Sequence, residues 1–189
     1  MHTLQIGHIE PCAYIYGPGQ RFVIWVQGCT LGCKGCWNQQ FWGTEDGYEK
    51  TIEQLIEDIQ STPGTEGITL LGGEPLQQAV GVLNLIQKCR ELEYSIFLYT
   101  GYEPREFDDV MQNCFESSDI VVTGRYVQSR RNASLRWRGS TNQIVHFPTE
   151  RYQDLDFNEA RELEIHIKDG RITVYGYPTE AETELIEGG

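Results

Sequence analysis

The sequence lacks the features that would place it in a membrane or outside the cell. No apolar run among its 189 residues approaches the roughly 20 residues that a bilayer-spanning helix needs. The first eight residues show no basic region followed by an apolar stretch, which is the pattern of a secretory signal. No internal repeat or low-complexity tract is present either, and the length suits one domain. We therefore expect a cytoplasmic, single-domain protein that has no membrane partner.

Basic residues are also scarce. The 15 Lys and Arg residues stand against 28 Asp and Glu residues, which gives a formal net charge of −13. A nucleic-acid-binding protein usually has a basic excess, so we expect no nucleic-acid partner. The simplest consequence of the acidic balance is solubility. Hydrophobic residues make up 39% of the chain, which is enough to form a core.

A fourth cysteine is missing where it would complete a metal site. Cys29, Cys33 and Cys36 follow a C-x3-C-x2-C pattern, and no further cysteine comes close behind. An iron–sulfur cube normally takes four thiolates, so three would leave one iron open to a substrate. Zinc would need a recruited ligand such as Cys12 or His8, and a reduced trio without metal is the third alternative. The spacing favours the iron–sulfur cluster over both.

Strand and helix patterns alternate along the first two thirds of the chain. Apolar runs predict strands at residues 21–27, 67–71, 95–100 and 119–123, and helical periodicity predicts helices at 51–60, 77–93 and 104–114. In the second helix, Val80, Leu83 and Ile86 are expected to face the core. This alternation indicates an α/β fold with a mostly parallel sheet. The sheet would form a partial (open) βα barrel.

The pattern changes after Thr123. Residues 124–143 hold five of the fifteen Lys and Arg residues in a loop-like stretch. Alternating apolar residues at 163–167 and 172–174, separated by Asp169-Gly170, predict a β-hairpin. An acidic tail follows at 180–189. We expect a core at residues 1–146 and an extension at 147–189 that packs on the same domain.

Two motifs resemble those of the radical S-adenosylmethionine (SAM) enzymes. The cysteine trio follows the first predicted buried strand, and Gly72-Gly73-Glu74-Pro75 follows the second. The resemblance implies a [4Fe–4S] cluster on Cys29, Cys33 and Cys36, with SAM bound at the remaining iron. In such enzymes an electron from the cluster cleaves SAM and gives a 5′-deoxyadenosyl radical. The cofactors supply the difficult chemistry, while the protein supplies orientation and excludes water.

Further motifs are similar to one branch of that superfamily, the activating proteins of anaerobic ribonucleoside-triphosphate reductases. They are the stretches 17–21, 35–38, 100–102 and 137–143, in that order. Members of this branch remove a hydrogen atom from a glycine of the large reductase subunit. The resemblance covers about residues 12–146. It implies a glycyl-radical enzyme as partner and a flavodoxin-type reductant.

The resemblance also assigns roles to residues outside the cysteine trio. It places the backbone of Gly35 and Trp37 against the adenine of SAM, and the motif Gly72, Gly73 and Glu74 against the methionine amino group. Further SAM-binding residues implied in this way are Thr100, Gly101, Arg138, Ser140 and Asn142. A turn role is the alternative for Thr100, Gly101, Ser140 and Asn142. Contact with the partner chain is a further alternative for Arg138, Ser140 and Asn142.

Two features depart from the family pattern. Thr123 stands where the activating proteins usually carry an aspartate, and residues 147–189 extend beyond the compact members. These departures keep open a radical SAM enzyme that acts on a small molecule or peptide, similar to the 7-carboxy-7-deazaguanine synthases. A non-catalytic iron–sulfur or zinc protein is the third alternative, although it would not need the Gly72-Gly73-Glu74 turn.

Overall fold

A computed structural model describes residues 2–155, 163–168 and 171–176 of the chain. This part of the chain contains nine strands and three α-helices. The strands are β1 (Thr3–Ala13), β2 (Arg21–Val26), β3 (Tyr48–Thr51), β4 (Gly67–Gly72), β5 (Ser95–Tyr99), β6 (Ile120–Thr123), β7 (Ile144–His146), β8 (Leu163–Lys168) and β9 (Arg171–Gly176). The α-helices are α1 (Ile52–Gln60), α2 (Ala79–Glu91) and α3 (Asp109–Glu116).

Seven strands form one sheet in the order β3-β1-β2-β4-β5-β6-β7. The four central strands, β2, β4, β5 and β6, run parallel. The outer pairs are antiparallel. The predicted α/β class and mostly parallel sheet are therefore confirmed, and each predicted strand of the core is found. The flanking strands β1, β3 and β7 were not predicted.

The helices cover one face of the sheet and bury a continuous apolar core. Helix α1 begins at the predicted capping box, in which Thr51 and Gln54 bind each other's backbone N–H groups. In α2 the buried residues include Val82, Leu85, Ile86 and Cys89. The predicted core position Val80 was wrong, since its side chain is 54% exposed. The helix was predicted to begin at residue 77, but a 3₁₀ turn at Pro75–Gln78 precedes α2, which begins at Ala79. The buried face of α2 therefore contains other residues than the predicted helix start implied.

The opposite face of the sheet is covered by aromatic side chains. Trp25 and Leu71 form one cluster with Tyr99 and Tyr175 packed against them. Phe97 and Trp137 belong to a second cluster nearby, with ring centroids 5.0 Å apart. The segments that follow β6 and β7 therefore close this face. No helix among the described residues is long and apolar enough to cross a bilayer.

The predicted C-terminal hairpin is present as β8 and β9, paired from Leu163 opposite Gly176 to Lys168 opposite Arg171. Its inner face docks on the sheet, where the Tyr175 ring stacks on Trp25 at 6.0 Å and its hydroxyl donates to Glu10 Oε2 at 2.7 Å. Glu164 accepts hydrogen bonds from the backbone N–H groups of Tyr14 and Ile15. The predicted turn at 169–170 and the predicted tail at 180–189 lie outside the described residues.

Arg21 ties the amino-terminal ends of three central strands together. Its guanidinium is fully buried and donates to Thr69 Oγ1 on β4 and, on β5, to both oxygens of Ser95. The carbonyls of Ile68 and Pro18 accept further hydrogen bonds from it. Burial lowers the pKa of Arg21 to about 10, so the group still carries its proton at neutral pH. This cluster lies at the end of the sheet opposite the site described next.

Candidate active site

The carboxyl ends of the four parallel strands meet at one edge of the sheet. The loops that leave them line an open pocket of about 110 Å³. Ligand sites of parallel sheets lie at this edge, because the loops there converge while the strands hold them in place. The pocket brings together predicted site residues from three loops: Cys29, Cys33, Cys36, Trp37, Gly72, Gly73, Glu74, Thr100 and Gly101.

The cysteine loop begins where β2 ends and is held by main-chain hydrogen bonds. Gly28 N–H donates to Phe41 O at 2.8 Å, and Cys29 N–H donates to Trp42 O at 3.0 Å. The loop is therefore closed at its base by residues that come after it. Gly35 has a φ of +72°, a left-handed conformation that favours glycine, and a Cβ there would come within 2.9 Å of the Gln128 side chain.

The three thiols are half-buried and face the same pocket. Burial is the main cause that raises the pKa of Cys29 and Cys33, while backbone N–H groups oppose it by favouring the thiolates. A bound metal would supply the positive charge that keeps these groups deprotonated. The Asn38 N–H also donates to Cys36 Sγ at 3.4 Å. Three thiolates surrounded by N–H donors form a donor set that fits an iron–sulfur cluster.

The trio alone does not complete a zinc site. Among the described residues, no group of three or more His, Cys, Asp and Glu side chains surrounds a single ion position. A structural zinc ion requires four such ligands in a tetrahedron. The trio by itself therefore leaves a zinc ion one ligand short.

Gly72 and Gly73 bring the end of β4 into close contact with the base of the cysteine loop. Gly73 N–H donates to Val26 O at 2.8 Å, and Glu74 N–H donates to Gly28 O at 2.9 Å. Gly72 has a φ of +107°. A Cβ on Gly73 would come within 2.3 Å of Gly28 O, so only glycine allows this approach. The two predicted motifs are thus joined directly through their backbones.

Glu74 has a nearly fully buried carboxylate, with 2% of the residue exposed. One oxygen accepts from Leu76 N–H at 2.9 Å and Thr100 Oγ1 at 2.8 Å, and the other accepts from Gly101 N–H at 2.7 Å. Burial raises the pKa of Glu74 to about 7, although these hydrogen bonds oppose the shift. The side chain therefore joins the ends of β4 and β5. It also places a titratable acceptor at the pocket surface.

Arg125 lies beside the pocket, where its Nη1 donates to Gly101 O at 3.4 Å. It forms a bidentate pair with Glu106 at 2.7 and 2.8 Å and lies 5.7 Å from the centre of the Tyr102 ring. This pairing is the main reason that the pKa of Glu106 falls to about 2. Arg125 also favours the charged forms of Cys33 and Glu74 from this position. Arg125 therefore brings a cation close to the pocket, although Glu106 balances its charge.

Four predicted site residues do not line the pocket in the described part of the chain: Gly35, Arg138, Ser140 and Asn142. Ser140 Oγ accepts from Val127 N–H at 3.2 Å, and Asn142 Nδ2 donates to Arg125 O at 2.8 Å. Arg138 Nη1 reaches Gln143 O at 3.4 Å. Ser140 and Asn142 therefore bind backbone groups of the segment that follows β6. Their predicted contact with SAM stays a prediction.

Comparison with known proteins agrees with this geometry. Residues 15–146 match the family model described as a 4Fe-4S single cluster domain. The anaerobic ribonucleoside-triphosphate reductase-activating protein of Vibrio cholerae is 36% identical over 144 residues, which cover 72% of this chain and 93% of the relative. The protein of the same name from Escherichia coli K12 is 35% identical over 72% of this chain and 94% of its own length. That of Enterobacteria phage T4 is 36% identical over 71% and 88%.

This chain belongs to the family of anaerobic ribonucleoside-triphosphate reductase-activating proteins. The predicted resemblance is therefore confirmed, and with it the [4Fe–4S] cluster and SAM as cofactors of a radical SAM enzyme. A solved structure, that of QueE from Escherichia coli, superposes with a TM-score of 0.45 at 15% identity over 62% of this chain and 69% of that one. That likeness is too low to carry an argument.

One departure from the family pattern lies in the sheet. Thr123 is buried, and its Oγ1 lies 2.9 Å from His146 Nε2 on the neighbouring strand β7. Burial lowers the pKa of His146, so the pair is polar but uncharged at neutral pH. Thr123 does not line the pocket among the described residues. The second departure, the hairpin, lies beyond the residues that match the family model.

Sequence reasoning missed several residues that line the pocket, including Tyr99, Gly124, Tyr126 and Gln143. Gly124 and Tyr126 follow β6 at the same edge as the other loops. Because ligand sites lie at the carboxyl ends of parallel strands, the predicted strand β6 could have indicated these two residues. Gln143 lies in the activating-protein motif at 137–143. Nothing in the sequence indicates that Tyr99 turns toward the pocket.

Proposed function

We propose that this chain activates an anaerobic ribonucleoside-triphosphate reductase by generating a glycyl radical on it. One observation carries the proposal. The three cysteines and the Gly72-Gly73-Glu74 turn line one pocket in a member of the activating-protein family. When bound, the [4Fe–4S] cluster and SAM supply an electron and a 5′-deoxyadenosyl radical that removes a hydrogen atom from a glycine.

Different residues of the pocket would bind the cluster and the different parts of SAM. Cys29, Cys33 and Cys36 would hold the cluster as thiolates and leave one iron for SAM. The turn at Gly72 and Gly73 would receive the methionine end of SAM, because its glycines expose backbone carbonyls and N–H groups without side-chain obstruction. The motif around Cys36 would hold the adenine through the backbone of Gly35 and Trp37. Thr100 and Gly101, at the end of β5, would complete the lining of the pocket.

Glu74 would act as the acceptor for the amino group of SAM. Each carboxylate oxygen has two acceptor positions, and one oxygen of Glu74 accepts a single hydrogen bond within the fold. An ammonium group beside it would stabilise the charged carboxylate and offset the burial that raises its pKa. We expect SAM to bind with Glu74 ionised. Arg138 would be the corresponding partner for the SAM carboxylate.

The target glycine would come from a partner chain. The pocket opens at the edge of the sheet, and the hairpin and the segments after β6 and β7 cover the face behind it. A loop of the large reductase subunit would enter from the open edge. We further propose a flavodoxin-type reductant, a cytoplasmic location, and a sheet that curves as an open βα barrel. Residues 1–146 would form the catalytic core, with 147–189 packed against it.

The decisive experiment is electron paramagnetic resonance of the reduced protein, incubated anaerobically with SAM and its cognate reductase subunit. We expect a glycyl radical signal on the reductase. Cys33→Ala should abolish both cluster assembly and the signal, while Cys12→Ala, which alters a cysteine outside the loop, should preserve both. Conversion of SAM to 5′-deoxyadenosine without a glycyl radical would refute the proposed target and indicate a different hydrogen donor.

A further inference from the structure

Two segments beside the pocket carry positive charge and no negative charge. Residues 29–43, which contain the cysteine loop, have no Asp or Glu and one basic residue, Lys34. Residues 124–143 have no Asp or Glu and five Arg residues. The other residues of the chain carry nine Lys and Arg against 28 Asp and Glu, a formal net charge of −19. These two segments therefore differ in sign from the rest of the chain.

The two segments meet at the cysteine loop. The Arg131 guanidinium lies over the Trp37 ring, 4.9 Å from its centre. A Cβ on Gly35 would come within 2.9 Å of the Gln128 side chain, so the backbone of the loop also lies close to the second segment. Five residues at or beside these contacts form a surface that we call the basic patch: Lys34, Trp37, Gln128, Arg130 and Arg131.

The basic patch faces solvent and also borders the cluster ligands. Lys34 is exposed and directly follows Cys33 in the chain. Trp37 lines the pocket together with the three cysteines, and 37% of the residue is exposed. Gln128 and Arg130 are exposed as well. A protein bound to the basic patch would therefore lie against the loop that holds the cluster.

The other arginines of the second segment have contacts within the fold. Arg125 forms its bidentate pair with Glu106. The Arg136 guanidinium lies over the Trp137 ring at 4.6 Å, and Arg138 Nη1 donates to a backbone carbonyl at 3.4 Å. All three arginines are partly buried. The basic patch is therefore defined without them.

We propose that the basic patch docks an acidic one-electron carrier protein, which delivers the electron that reduces the cluster. The inference rests on the proposed function, because it requires a cluster on the three cysteines. One electron leaves the carrier, which is oxidised, and enters the oxidised cluster, which is reduced. The rate of electron transfer falls steeply with distance, so the carrier must approach the loop that holds the cluster. The target glycine must instead reach SAM from the open edge of the pocket.

Charge explains why such a carrier would select this surface. A chain with a net charge of −13 repels an acidic protein over most orientations, while the basic patch attracts it. The encounter is therefore steered toward the orientation in which the carrier faces the cysteine loop. Electron-transfer complexes bury little area and are weak, so a single charge at the interface has a large relative effect. Arg and Trp are also residue types that interfaces favour.

The first experiment measures binding without electron transfer. The probe is an oxidised flavodoxin of strongly negative net charge, titrated into the reconstituted protein by calorimetry at low and at physiological ionic strength. We expect Arg130→Glu and Lys34→Glu each to weaken binding about tenfold at low ionic strength, and by less when salt screens the charges. Lys88→Glu is the matched control, because it makes the same charge change at a half-exposed side chain near the end of α2. It should bind like the unaltered protein.

The second experiment separates the carrier from the reductase. Glycyl radical formation is followed by electron paramagnetic resonance, once with the reduced flavodoxin and once with dithionite, a small reductant that needs no docking surface. We expect Arg130→Glu to slow radical formation about tenfold with the flavodoxin and to leave the rate with dithionite unchanged. Lys88→Glu should match the unaltered protein with both reductants.

Equal flavodoxin affinities of Arg130→Glu and Lys88→Glu would overturn the inference. Slow radical formation by Arg130→Glu with both reductants would overturn it too, since the basic patch would then serve the reductase. If Lys34→Glu does not retain four irons per chain, Arg130→Glu decides the question, because Arg130 lies outside the cysteine loop. Failure of the unaltered protein to form a glycyl radical with dithionite would instead refute the proposed function, while calorimetry would still decide the docking surface.

Discussion

At the scale of single residues, two buried ionisable side chains organise opposite ends of the sheet. Glu74 joins the carboxyl ends of β4 and β5, and Arg21 joins the amino ends of β2, β4 and β5. Within the described residues, both are held by hydrogen bonds to uncharged groups and neither has a directly paired opposite charge. A buried charge without an ion pair destabilises the folded state unless its hydrogen bonds compensate. The two residues therefore make separate and testable contributions to stability.

Glu74 should make the cofactor-free protein less stable as the pH rises. Its folded pKa of about 7 lies above the ordinary value of 4.5, so the folded state binds more protons between these values. Between pH 4.5 and 7 the free energy of unfolding should fall by about 3 kcal/mol because of this group. Above pH 7 the contribution of Glu74 should stay constant. Urea unfolding of the unaltered protein and of Glu74→Gln should be measured at several pH values in this range. The difference between the two free energies of unfolding at each pH isolates the contribution of Glu74. A difference that does not vary with pH would contradict the assignment.

Arg21→Met should destabilise the fold without altering the pocket. The change preserves the apolar stem but leaves acceptors on Ile68, Ser95 and Thr69 without their donor, at a cost of about 3 kcal/mol or more. Arg90→Met is the control, because the Arg90 side chain is substantially exposed. Denaturant midpoints measure the cost, and SAM affinity of the folded fraction should be unchanged. Equal midpoints for both variants would show that Arg21 is dispensable.

At the scale of elements, the hairpin β8–β9 depends on its contacts with the sheet. A two-stranded hairpin alone is marginally stable in water. The inner face of β8–β9 packs on the sheet. On its outer face, the side chains of Ile165, Ile167 and Ile172 are between 60% and 74% exposed. Tyr175 provides an apolar contact with the core, because its ring packs against Trp25 and Tyr16. The hairpin should therefore behave as a unit that opens separately from the core.

Tyr175→Ala should release the hairpin while the core stays folded. The substitution removes the ring that packs on Trp25 and the hydroxyl that binds Glu10, at a cost of about 2 to 3 kcal/mol. Hydrogen exchange should accelerate within β8 and β9 and at the amides of Tyr14 and Ile15, which bind Glu164. Exchange in β4 and β5 should not change. Tyr48→Ala, at an exposed tyrosine, is the control, and uniform acceleration through the chain would contradict local opening.

At the scale of the whole molecule, local patterns predicted the parallel centre but not its surroundings. Strands β2, β4, β5 and β6 are buried on both faces, so their apolar runs are visible in the sequence. Strand β1 mixes buried and exposed positions and pairs through irregular register, so its pattern is weak. The cysteine trio and Gly72-Gly73-Glu74 were predictable, because metal ligation and close backbone approach demand particular residues. Ser140, Asn142 and Gln143 act through distant backbone groups, which no local pattern reveals.

The order of the pocket loops along the chain has a consequence for how the protein is made. The cysteine loop follows β2, the Gly72-Gly73-Glu74 turn follows β4, and the pocket residues Gly124, Tyr126, Gly139 and Gln143 come last, after β6. A ribosome therefore releases the three thiols long before the residues that enclose them. Until Gln143 has been synthesised, the pocket that encloses the three cysteines is incomplete and their thiols stay open to oxidation. We therefore expect the cluster to be assembled after translation, on the completed polypeptide.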